Sequence, residues 1–150
     1  MNAHDWDNTA GNVSHTGTGD FTLNLVGNLT NSQGKIQTNA AHTNITAANL
    51  NNTDGLLVGQ GVVNLVTSST AAQSLTNTNG TIYAAQDLTV SSSAVANDKG
   101  LIQAGGNASI NTNGAALINT NSGATGGIVA SKNLNITSSS LGGTDRKSVV

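Results

Sequence analysis

Aliphatic residues recur along this chain at fixed distances from a repeated Asn-x-x-Gly. Five segments carry it: Asn8 to Gly11, Asn31 to Gly34, Asn52 to Gly55, Asn77 to Gly80 and Asn97 to Gly100. Their starts lie 23, 21, 25 and 20 residues apart. Two residues before each Asn stands an apolar side chain (Trp6, Leu29, Leu50, Leu75, Val95), and two after each Gly stands another (Val13, Ile36, Leu57, Ile82, Ile102). A looser copy runs from Leu117 and Asn119, through an insertion, to Gly126 and Ile128, and a further one begins at Leu141. A third apolar cluster follows: Val63 with Leu65, Leu88 with Val90, Ala108 with Ile110, and Leu134 with Ile136. The first two copies are irregular here, with Phe21 and Leu23 in one and Ile45 in the other.

Within each unit apolar residues alternate with small polar ones, as in Leu88-Thr-Val90. A period of two predicts strands with one buried face, and Gly and Asn punctuation keeps them short. No long window shows the i, i+3, i+4, i+7 recurrence of an amphipathic helix. A unit this small cannot bury its own side chains, but stacked units can. The expected fold is all-β: a right-handed, single-stranded parallel β-helix of about six coils of 20–26 residues, with three short strands per coil. Six coils at about 4.8 Å make a rod roughly 29 Å long. The expected core is Trp6, Val13, Leu29, Ile36, Leu50, Leu57, Leu75, Ile82, Leu88, Val90, Val95, Ile102, Ile110, Leu117, Ile128, Leu134, Ile136 and Leu141. The Asn residues are expected at corners, bonded from coil to coil. The Gly column is expected to supply backbone conformations closed to other residues. Residues 1–143 form the repeat segment, read as an interior, uncapped piece of a longer protein. Residues 144–150 leave the register, as an artefactual tail would.

Composition narrows the function classes. Charged residues are 8% of the chain, aromatics 2%, and the formal net charge is −2. Low hydrophobicity raises disorder as a rival reading, but disordered chains usually carry high net charge and lack regular aliphatic positions. Lys35, Lys99 and Lys132 stand apart, so there is no basic stripe for nucleic acid. No apolar run is long enough for a transmembrane helix, and Met1 to Asp7 does not read as a signal peptide. The seven acids are all Asp and share no column, whereas glycoside-cleaving β-helices need clustered carboxylates. No P-loop, zinc spacing, nucleophile elbow or calcium nonapeptide occurs. No enzymatic activity, cofactor or metal is therefore expected. His4, Asp5 and Asp7 lie close enough to suggest a metal, but read more simply as a solvated end; His15 and His42 stand alone. Sequons occur at Asn12, Asn28, Asn44, Asn51, Asn79, Asn107 and Asn135. The residues after the repeat Asn (Thr9, Ser32, Thr53, Thr78, Asp98, Thr120) form a mixed column that suggests ice binding less than a polar corner ladder.

The unit Leu-x-Asn-x-x-Gly-x-Ile-x-Ala-x-x-Asp/Asn-Leu-x-Val/Ile, clearest from Leu75 to Val90, resembles the repeat of filamentous haemagglutinins and related large exoproteins, including the stalks of contact-dependent growth-inhibition toxins. The resemblance runs from Trp6 to Leu141. It implies a structural or adhesive rod of a secreted Gram-negative surface protein, exported through an outer-membrane partner transporter in two-partner secretion. Such a rod would mediate adhesion or aggregation against a host-cell or bacterial receptor or glycan. A passive toxin stalk is the alternative, and a polysaccharide-active enzyme or ice-binding protein a minor one.

Overall fold

A computed structural model describes residues 1–68 and 74–143, with the backbone of Ser148–Val149. All its regular structure is strand, arranged as three parallel seven-stranded sheets that wrap into a β-solenoid. Each coil contributes one strand to each sheet in turn. In the central coil these are Val62–Thr67, Leu75–Thr76 and Thr81–Ala84. With seven strands per sheet, the chain completes six turns and continues into a seventh.

The three apolar columns stack in the order the repeat implies. Val13, Ile36, Leu57, Ile82, Ile102 and Ile128 pair from coil to coil in the third sheet. Trp6, Leu29, Leu50, Leu75, Val95, Leu117 and Leu141 do so in the second. In the first sheet, Leu23, Ile45, Leu65, Val90, Ile110 and Ile136 form one column, and Phe21, Thr43, Val63, Leu88, Ala108 and Leu134 the other. Along each strand the alternate side chain points outward, which gives burial patterns such as that of Thr81–Ala84, with Ile82 and Ala84 buried and Thr81 and Tyr83 half-buried.

Burial depends on having a coil above and below. Leu29, Ile36, Leu57, Leu75, Ile82, Ile102 and Leu117 are fully buried. Trp6, Val13, Leu134 and Ile136 are only half-buried against the core. Leu141, expected in the core, is 49% exposed although it pairs in register with Leu117. It lies in the last coil of the described stack, so one of its faces is bare. Beside Ile45, where the apolar pair is incomplete, the buried hydroxyl of Thr43 takes the place of an aliphatic side chain and bonds to that of Thr38.

Coil lengths differ because residues are added at corners, not within strands. The sixth coil carries its addition between Asn119 and Gly127, and Ile128 still pairs with Ile102. The fourth adds residues between Thr67 and Ser74, of which 69–73 lie outside the described residues. The tail expected to leave the register, 144–150, is described only as backbone at Ser148–Val149, which pairs with Ile128 and Val129.

The facing of the strands gives a direct test. Ile82→Asp places an unpaired charge among aliphatics and is expected to destabilise the fold by about 3–5 kcal/mol. Tyr83→Asp, one residue on and facing out, is expected to cost under about 1 kcal/mol. Urea denaturation of both variants measures the difference, and equal effects would mean that the facing is wrong.

Candidate functional site

The repeated Asn-x-x-Gly builds a buried polar seam along the rod. Asn31, Asn52, Asn77 and Asn97 are fully buried, and Asn8 and Asn119 nearly so. Each side-chain amide donates to the Oδ1 of the next: Asn8 to Asn31, Asn31 to Asn52, Asn52 to Asn77, Asn77 to Asn97 and Asn97 to Asn119, every rung 2.7 Å. The second amide hydrogen of each reaches a backbone carbonyl of the following coil. Asn52 meets Thr81 O at 3.1 Å and Asn77 meets Leu101 O at 3.1 Å. Only an NH₂ group can face a carbonyl, so these contacts fix the orientation of every amide. The rungs therefore all point the same way, and aligned hydrogen bonds of this kind polarise one another.

The glycines serve this seam by their size. The left-handed conformation expected of them belongs instead to the residue before each: Ala10, Gln33, Asp54, Asn79 and Lys99 have φ of 53°, 56°, 53°, 51° and 56°. A Cβ at Gly34, Gly55, Gly80 or Gly100 would overlap the carbonyl oxygen of the Asn one coil earlier. The turn must come this close for its own Asn to reach the next rung. In the sixth coil Ser122 stands three residues after Asn119, where glycine stands elsewhere, and the added residues follow it. There the Asn97 amide meets Gly127 O at a longer 3.4 Å, and Ser122 Oγ has no hydrogen-bond partner among the described residues.

A second polar seam was not legible in the repeat. At the corner between the first and second sheets, Thr67, Ser74 and Ser92 are buried and share hydroxyl hydrogen bonds of 2.6–2.9 Å. Thr112 continues the column and donates to Ala115 O at 2.6 Å. These residues sit at the ends of strands, where Ser and Thr look like ordinary turn residues.

The outward faces differ from one another. The first sheet presents Thr22, Asn44, Asn64, Thr89, Ser109 and Asn135 in one uncharged column. The third sheet instead turns out Leu56, Val58, Tyr83, Leu101 and Val129, all half-buried. The mixed column at Thr9 and Thr53 does not offer its hydroxyls outward: they bind Asp7 and Asn51 of their own coils. Among the sequons, Asn12, Asn28, Asn79 and Asn135 are exposed. Asn28, Asn44, Asn51 and Asn107 are tied into side-chain hydrogen bonds.

The ionisable groups are scattered and work locally. His4 Nδ1 lies 2.6 Å from Asp5, and His42 Nδ1 lies 2.9 Å from Asp20. Asp5 accepts from the Asn28 backbone, and Asp7 caps its own turn through Thr9, so the pair does not converge. No group of three or more His, Cys, Asp or Glu suited to a metal occurs among the described residues. Several carboxyls are held below the usual carboxylate range by hydrogen bonds. For Asp87 the cause is chiefly the Asn107 backbone amide, then its side chain. For Asp98 it is the Thr120 hydroxyl, then the Asn121 amide. For Asp5 it is the Asn28 backbone amide, then His4, and for Asp7 the Thr9 hydroxyl, then the Thr9 amide. Comparison with protein-family models, curated proteins and solved structures gave no match to this chain.

The seam and the corners can each be tested. Asn77→Asp is isosteric but sets a carboxylate oxygen against Asn97 Oδ1, Leu101 O and Gly80 O. Chemical denaturation should show a loss of at least about 2 kcal/mol. Asn79→Asp, at the exposed left-handed position that Asp54 fills one coil earlier, should lie within about 0.5 kcal/mol of the parent. Depressed carboxyl values stabilise the fold above the unfolded carboxylate pKa, near 4, and that contribution is lost as pH falls through the lower folded values. The melting temperature should therefore hold from neutral pH to about 5 and fall below about 4, and Asp87→Asn should make the acid limb shallower.

Proposed function

We propose that this chain is a stem segment of a secreted bacterial surface protein of the filamentous haemagglutinin type, a structural rod whose outward faces carry adhesion or aggregation. The observation that carries this reading is the division of labour across the wall of the solenoid. Inward positions are repeated from coil to coil as aliphatics, Asn and Gly, while outward positions change face by face. A scaffold of this kind extends by adding coils and leaves its surface free to differ along its length. Export through an outer-membrane partner transporter and display at the cell surface belong to the same proposal and rest on the repeat's resemblance.

The test is a gain of attachment. The chain is displayed on a non-adherent bacterium beside a version carrying Ile82→Asp, and adherence to epithelial cells and self-aggregation are counted. The proposal expects at least about a tenfold increase over the bare bacterium, lost in the Ile82→Asp chain. No increase from a chain that folds, by its strand-type circular dichroism, would sink the adhesive reading. If removing the segment from its gene then abolished only contact-dependent killing, the rod would be a passive toxin stalk.

A further inference from the structure

We propose that Asn113 is a site of spontaneous deamidation, and that the solenoid protects Asn79, the other Asn followed by Gly, from the same reaction. The chain contains just these two Asn-Gly pairs. In the reaction the Gly114 backbone nitrogen, losing its proton to water, attacks the side-chain carbon Cγ of Asn113. The bond from Cγ to the side-chain nitrogen breaks, and ammonia leaves with a proton from solvent. Water then opens the five-membered succinimide at either carbonyl, giving aspartate or isoaspartate and one added negative charge. Water is the only co-reactant.

The two sites differ in whether the backbone can reach the attacking geometry, which governs the rate of an intramolecular reaction. Asn113 and Gly114 form the tip of the turn between Ala108–Asn111 and Ala116–Thr120, and both are exposed. The turn closes below them, with the Ala115 amide donating to Thr112 O at 2.9 Å. Gly114 has φ of 86°, nothing stands within 4 Å of where a Cβ would lie, and its amide donates no hydrogen bond among the described residues. Asn113 is held by its own amide on Asn111 Oδ1 and by a long 3.3 Å bond to Ser91 Oγ. Rotation of the Asn113–Gly114 peptide therefore displaces little else.

Asn79 is as exposed, but the glycine after it belongs to the seam. Gly80 is buried, and any Cβ there would overlap Asn52 O. Its carbonyl accepts from the Leu101 amide at 2.9 Å and from Asn77 Nδ2 at 3.1 Å. The Asn79 amide is itself bonded to Asp98 O at 2.9 Å. Closing a succinimide at Asn79 requires the Asn79–Gly80 peptide to turn, which breaks the coil-to-coil bonds on either side.

The test uses the folded chain in mildly alkaline buffer at physiological temperature, sampled over weeks. Trypsin cleaves after Lys35, Lys99 and Lys132, so the two sites fall on separate peptides, 36–99 and 100–132. Mass spectra report the gain of about 1 Da and fragment ions place it. Deamidation at Asn113 is expected to outpace that at Asn79 by at least about tenfold in the folded chain, and the two rates are expected to converge in urea. Equal rates in the folded chain, or a faster Asn79, would overturn the proposal. So would an Asn79 that stays slow after unfolding, since its protection would then not come from the solenoid.

Discussion

Everything in this molecule depends on hydrogen bonding between one coil and the next. A single coil has three short strands and no partner within itself for their amides and carbonyls. An unpaired buried backbone group costs about as much as a lost hydrogen bond. Parallel pairing along the axis satisfies the strands, and the Asn column extends the same logic to the corner, where the strands end. Position in the stack then governs everything else. Leu117, with coils on both sides, is wholly buried, while Leu141, the next residue of the same column, is half bare.

The Asn seam accounts for the buried amides at one corner of the interior, as the hydroxyls of Thr67, Ser74 and Ser92 do for another. A buried primary amide has two donors and an acceptor to satisfy, and here the repeating geometry satisfies them every turn. Half-satisfied networks are worse than apolar packing, so such an arrangement holds only if register is kept over many coils. The seam thus specifies register more sharply than the aliphatic stacks, which tolerate exchange of Leu for Val or Ile. The sixth coil shows the limit, where Ser122 stands in the glycine's place and the last rung's backbone contact lengthens.

The aliphatic columns were legible in the sequence because a period of two, repeated about every twenty residues, points to short stacked strands and to little else. The Asn-x-x-Gly corner was legible in position but not in role. Spacing reveals that a turn needs Gly, not whether it needs φ above zero or missing volume. Here Asn79 takes the left-handed conformation and Gly80 the tight approach. The hydroxyl seam of Thr67, Ser74 and Ser92, and the buried Thr43, were not legible. Ser and Thr are so common in this chain that a buried one looks no different from an exposed one until its neighbours in other coils are known. The carboxyl hydrogen bonds of Asp87 and Asp98 escaped for the same reason, because their partners lie about one coil away.

The left-handed residue of each turn stands at the outermost point of the corner, clear of the seam. Ala10, Gln33, Asp54, Asn79, Lys99 and Asn121 fill it, five chemistries over six coils on one backbone shape. A non-glycine there costs about 1–2 kcal/mol of local strain, which the turn evidently absorbs. One edge of the rod therefore carries a row of interchangeable stations, about 4.8 Å apart. Their electrical sign can be rewritten coil by coil, so proteins sharing an identical interior could present quite different charge sequences to whatever they meet.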